Sequence, residues 1–392
     1  MTRSTSRLTA GIVVGSALTV ALAVAGRRLE QRAGTHLLDW AVIRSIARRR
    51  VGARSGRLAT ADRRAAEAFY AATAERVAPM VAAEIGVPLT HPLAAPAVID
   101  RLGWIDLNLV TFRHLIGRLE VQLMGTRATP RGAGASLARI VNRSLGNYQL
   151  GWLLAFMSTK VLGQYDVSLL ATEDPAQGRL NFVEANVVST ADSLGVGRDT
   201  FRTFIAIHEV THAYEFEAHP WLRSHFAALV DESLRRLAAD SGSLWERLAS
   251  ARNGTGHWME RLMTPDQREA FSRTQALMSL LEGASNHVMN AVGARVLPGF
   301  DELHERFEGR HRRRGPMEQA ILRLTGLDLK LAQYAEGEQF VAAVMASGGA
   351  AGFARIWRGP EWLPTMAEIR DPDQWLTRAD ALDDRATGEA RT

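Results

Sequence analysis

Apolar and polar positions follow the period of an α-helix along most of this chain. In Thr60–Ile85, Phe69, Val77 and Val81 fall at helical spacing in an alanine-rich background, which predicts a helix kinked or broken at Pro79. Pro88, Pro92 and Pro96 then punctuate a loop. The helical pattern resumes from about Arg101 to Leu123, breaks at Gly125–Gly134, and returns over Ser136–Lys160 as one or two buried helices. There the period changes. Tyr165–Leu170 and Leu180–Val188 are short apolar runs with β-branched residues, separated by Glu173-Asp174-Pro175 and Gly178, and they read as two strands. Asp199 or Thr200 can cap a helix running to about Ala218, with Pro220 beyond it. The remainder to about Arg378 is helical, with breaks near Pro298, Gly315, Gly348–Gly352 and Pro360–Pro364. The expected fold is mostly α with a small β-sheet.

The first residues depart from this pattern. Leu8 to Gly26 carries no charge and is flanked by Arg3 and Arg7 on one side and Arg27 and Arg28 on the other. As a helix it would reach about 28 Å, nearly the hydrocarbon thickness of a bilayer. Residues 1–34 are therefore read as an N-terminal membrane anchor, with residues 35–378 as one domain and 379–392 as a polar tail. The alternative is a signal segment cleaved near Ala23-Val24-Ala25, with secretion of the rest. For an uncleaved anchor, the larger basic excess after the run places the body in the cytoplasm.

Composition narrows the class further. Hydrophobic residues at 46% and charged residues at 23% are ordinary for a soluble globular protein, and exclude a mostly disordered or polytopic membrane chain. The net charge of +5 gathers in Ile43–Arg57 and Arg306–Arg314. Without an RNA- or DNA-binding motif, these runs read as a juxtamembrane segment and a solvated loop, not a nucleic-acid surface. Cysteine is absent, so any transition metal must be held by histidine and carboxylate.

Such a set is present. His208-Glu209-Val210-Thr211-His212 forms HExxH within the apolar stretch around Phe204, Ile205 and Ile207. Residues four apart share a helix face, so the two imidazoles converge on one point, where they suit zinc. Glu209 is turned away by one residue, which lets it miss the metal and act as general base toward a water that the metal acidifies. A third ligand must come from elsewhere. His219 is at the wrong offset for the extended motif, since Glu215 and Ala218 stand where glycine and histidine are required. Glu215 reads as a solvated or salt-bridged helix residue. Glu282 sits among Leu277, Leu280 and Leu281, where an unpaired carboxylate would be costly, and it is the expected third ligand. His287, five residues on, points to another side of that helix.

Several stretches resemble an actinobacterial zincin-like metallopeptidase family, formerly a domain of unknown function labelled "coenzyme F420 biosynthesis associated". They are Trp104-Ile105-Asp106-Leu107-Asn108, Val161-Leu162-Gly163-Gln164-Tyr165-Asp166, the HEVTH helix with Pro220-Trp221-Leu222, Leu281-Glu282-Gly283, Gly326 through Tyr334, and Leu363-Pro364-Thr365. The resemblance spans about Leu37 to Arg378. It implies a gluzincin-like site with His208, His212 and Glu282 as Zn2+ ligands and Glu209 as base. Broader gluzincins often carry aspartate four residues after the glutamate ligand; here that position is Asn286, whose carbonyl can accept an imidazole N–H.

The combined reading is a zinc metallopeptidase acting on a peptide or protein substrate. The Leu180–Val188 strand would hold that substrate by edge addition, and Tyr334 reads as a buried residue packed in the C-terminal helices, with stabilisation of the oxyanion as the alternative. The rivals are a zinc-containing scaffold without turnover and a hydrolase of a non-peptide amide. An intact HExxH favours an enzyme, because a scaffold has no use for Glu209.

Overall fold

The computed structural model describes residues 38–124, 133–166, 179–239, 263–312 and 327–389. The Leu8–Gly26 run and the break expected at Gly315 lie outside these residues. Among the described residues, no helix is long and apolar enough to cross a membrane.

The architecture is mostly helical with one small sheet. Helices α1 (Trp40–Val51) and α2 (Thr60–Ile85) lead to strand β1 (Ala97–Ile99), followed by α3 (Arg101–Met124) and α4 (Ala133–Ser158). Strands β2 (Gly163–Asp166) and β3 (Arg179–Val183) precede α5 (Glu184–Leu194), α6 (Arg198–Ala218) and α7 (Trp221–Ala239). The long α8 (Pro265–Val296) is followed by α9 (Phe300–Arg312), α10 (Leu327–Arg355), α11 (Met366–Arg370) and α12 (Pro372–Glu389). The strand order is β1-β3-β2, with β1 parallel and β2 antiparallel to β3.

Four local expectations are corrected. The helix containing Pro79 is not broken there but continuous from Thr60 to Ile85. The Leu180–Val188 strand ends at Val183, and residues from Glu184 are helical up to a left-handed Gly195. Burial of Glu184, Val187 and Ala191 follows a helical period, so packing overrides the β preference of the valines. In addition, β3 is the central strand, paired on both sides, and cannot take up substrate by edge addition. The helix bearing HExxH begins after Gly197, with no side-chain cap from Asp199 or Thr200.

Two apolar cores hold these elements. The larger joins α2, α5, α6, α8 and α10 through residues such as Tyr70, Val187, Phe204, Leu280 and Phe340. The smaller is built on α1, α3 and α4 from Ile43, Ala47, Trp104, Ile105 and Leu154. Where α8 crosses α10, the backbones nearly touch: a Cβ on Gly337 would lie 1.9 Å from the Ser279 carbonyl oxygen, and one on Gly283 would lie 2.4 Å from that of Gly337. Gly283 follows Glu282 directly, so this glycine crossing fixes the helix that carries the third ligand candidate. Ala379 is fully buried and Leu382 packs on the larger core, so the segment after 378 begins inside a helix that the core holds.

Candidate metal centre

Helix α6 runs through the larger core, with Phe204, Ile205, Ile207, Val210, Ala213 and Tyr214 all buried. That packing fixes its rotation and leaves His208 and His212 on the side facing α8. Their ring centroids are 4.7 Å apart, with planes at 84°. Glu282 of α8 meets them, its Oε2 lying 4.0 Å from His208 Nε2 and 3.8 Å from His212 Nε2. All three donor atoms fall within 4.8 Å of one another.

Ligands of a tetrahedral zinc, each at about 2.1 Å, stand about 3.4 Å apart. The observed set is slightly wider, so a small inward movement would close it on a cation. The remaining ring nitrogens are already engaged. His212 Nδ1 lies 3.0 Å from Glu215 Oε2, and His208 Nδ1 lies 3.2 Å from the Ser285 hydroxyl, which also donates to the His208 carbonyl at 3.4 Å. Both partners can accept an Nδ1–H, which leaves the Nε2 lone pairs facing Glu282. Two imidazoles and a carboxylate with this orientation fit a zinc ion.

The charges match that fit at His208, while His212 must give up a proton to bind a metal. Burial lowers His208 to about 4, the neutral form that a metal ligand requires. Burial also opposes charge on His212, but the Glu215 hydrogen bond and the carboxylates of Glu215, Glu282 and Glu209 together raise it to about 9. Burial pushes Glu209 and Glu215 each up to about 7. Three carboxylates crowd two imidazoles here, and a cation relieves their repulsion while displacing protons.

Glu209 is 8% exposed and lies against β2. A Cβ on Gly163 would fall 2.5 Å from Glu209 Cγ and 2.7 Å from its Oε1, so glycine is needed there for the carboxylate to sit where it does. The backbone of Tyr165 also acts on this carboxylate, lowering it against the larger effect of burial. The strand register explains that contact. Val183 N–H donates to the Leu162 carbonyl, so by antiparallel alternation Gln164 and Asp166 turn their backbone toward β3. Gly163 and Tyr165 present theirs outward, and among the described residues the outer edge of β2 pairs with no strand.

The other candidates lie elsewhere. His219 is buried, with Nδ1 bonded to the Glu215 carbonyl at 2.9 Å and its ring stacked on Trp357. His287 packs near Phe353, and the charges that act on it are those of Glu84 and Glu338. Glu215, expected to be solvated or salt-bridged, is 1% exposed and supports His212. The histidine contact expected of Asn286 is made by Ser285. The Tyr334 side chain lies outside the described residues. Ser285 and Glu215 were detectable as positions three residues from Glu282 and His212; Gly163 carries no side chain to signal its role.

Residues 38–376 match the model of a family described as zincin-like metallopeptidase. Among solved structures, the chain is similar to a crystal structure from Chloroflexus aurantiacus, described provisionally as a hydrolase with a novel fold. The two share 37% identity with a TM-score of 0.65, over 88% of this chain and 99% of that one. No curated protein sequence matches the chain.

Proposed function

The chain belongs to the zincin-like metallopeptidase family, and from that premise we propose that it is a zinc-dependent peptidase. The observation that carries this reading is the convergence of His208, His212 and Glu282 beside a buried Glu209 and a strand edge that, among the described residues, pairs with no other strand.

In this reading His208 and His212 hold zinc through Nε2, and Glu282 through a carboxylate oxygen. Zinc, when bound, supplies Lewis-acid chemistry, acidifying water and polarising a carbonyl. Ser285 and Glu215 hold the two rings in the tautomer that binding needs. Glu209, whose burial favours the protonated form, can both accept and return a proton. It takes a proton from the attacking water and delivers it to the departing amine as the C–N bond breaks and the new C–O bond forms.

The outward backbone groups of Gly163 and the carbonyl of Tyr165 supply one strand edge next to Glu209, the Tyr165 N–H being turned to Glu209 itself. An extended peptide adds to such an edge through main-chain hydrogen bonds, which favours a peptide over a non-peptide amide. The uncharged Leu8–Gly26 run supports a membrane-anchored protein, and we assign it to an uncleaved anchor. Digestion of a peptide library by the zinc-loaded protein tests the activity.

A further inference from the structure

Helix α4 buries Asn147, Gly151, Leu154, Ala155 and Ser158. Leu145, Tyr148, Trp152 and Phe156 follow one another at i, i+3, i+7 and i+11, which places them on a neighbouring stripe of the same helix. Leu145 is 37% and Tyr148 52% exposed. Trp152 and Phe156 are half-buried, stack with centroids 5.6 Å apart and planes within 3°, and belong to neither apolar core. Cations frame the stripe: the Arg50 guanidinium lies 5.4 Å from the Trp152 ring centre, and the Lys160 ammonium 5.6 Å from that of Phe156. On the adjoining α1, Val42 is 43% exposed and Arg49 is exposed.

The chain enters the domain at this corner. Leu38 packs on Gly146, and Asp39 N–H donates to Asn147 Oδ1 at 2.9 Å, directly between Leu145 and Tyr148. Upstream, the uncharged run ends at Gly26, and the stretch from there to Leu38 can span at most about 40 Å.

We propose that this aromatic and basic stripe is a membrane contact, laying the α1–α4 corner of the domain on a bilayer with anionic headgroups. Tryptophan and tyrosine settle at the headgroup level, where a polar tip and an apolar body are both satisfied. Arg49, Arg50 and Lys160 are drawn to anionic lipid over the same area. A second copy of the chain is a poorer occupant, because pairing about a two-fold axis would bring these same cations together. The inference is independent of peptidase activity.

The chain has no cysteine, so single labels are unambiguous. Full-length protein carrying Tyr148→Cys, or Leu145→Cys as a second position, is labelled with a polarity-sensitive nitrobenzoxadiazole dye. It is then reconstituted into phosphatidylcholine vesicles with or without phosphatidylglycerol. Ser347→Cys, exposed on α10, is the reference. The expected result is a blue shift at 148 or 145 and several-fold stronger quenching by doxyl-labelled lipid than at 347. Phosphatidylglycerol should strengthen it, and Arg49→Glu with Arg50→Glu should reduce it. Equal quenching at the stripe and at 347 would overturn the proposal. So would shielding that rises with protein concentration without lipid quenching, which would assign the stripe to a second copy.

Discussion

Glu215 and His212 form a carboxylate–imidazole pair within one turn of α6, with Oε2 3.0 Å from Nδ1 and the carboxylate almost fully buried. The i, i+3 spacing brings the two onto one helix face, so the helix that carries this candidate ligand also orients it. Glu215→Gln keeps an acceptor but removes the charge that favours Nδ1–H on the ring. Zinc affinity is expected to fall about 10-fold or more, the usual effect of losing such a partner. Competitive titration against a zinc-binding dye measures it, and an unchanged affinity would show that Glu215 does not tune the site.

The third ligand is tested in the same way. Glu282→Ala should weaken zinc binding strongly, since two imidazoles on one helix leave the ion short of a protein donor. His219→Ala and His287→Ala should bind as wild type, because His219 is held by the Glu215 carbonyl and Trp357, and His287 packs near Phe353. Loss of zinc in either histidine variant, with zinc retained in the Glu282 variant, would reverse the assignment.

Gly163→Ala probes the strand beside the base. The added methyl would meet Glu209 at 2.5 Å, so either the carboxylate or β2 must shift. Zinc content should stay at the wild-type level while turnover falls on the order of 100-fold, as for an ångström-scale misplacement of a catalytic group. Metal analysis and rate measurement on one preparation separate the two effects.

Much of this site was legible because its spacing is local. HExxH puts two imidazoles on one helical face whatever the tertiary fold, and Glu282 stood out as a carboxylate in an apolar run. The supporting contacts were less visible. Glu215 has the look of an ordinary exposed helix residue until α6 is found buried nearly all round. Within Leu180–Val188, the apolar run alone could not show that β3 stops at Val183 or that it would be central, since pairing is a long-range property. Pro79 inside α2 is another case in which tertiary packing outweighs a local breaker.

A pH-dependent contribution to stability is expected at Glu368. It closes the capping box of α11 with Thr365 and pairs with Arg378. Burial pushes this carboxyl up, but the Arg378 and Thr365 contacts outweigh it and hold the group below its ordinary value of 4.5. Its stabilising effect is therefore present above that ordinary value and lost as pH falls through the lower folded-state value. Glu368→Gln should unfold at lower urea than wild type at pH 7, and the gap should narrow as the pH drops below that ordinary value of 4.5. A gap that stays constant with pH would rule out the charged carboxylate as its source.

The central claim is that Glu209 works as the base beside a zinc held by His208, His212 and Glu282. The most direct measurement is mass-spectrometric digestion of a peptide library by zinc-loaded wild type and by Glu209→Gln carrying the same zinc. The account predicts about one zinc per chain in both proteins, new peptide ends from the wild type, and none above background from the variant. Equal cleavage by the two proteins, or no cleavage by zinc-loaded wild type, would contradict it.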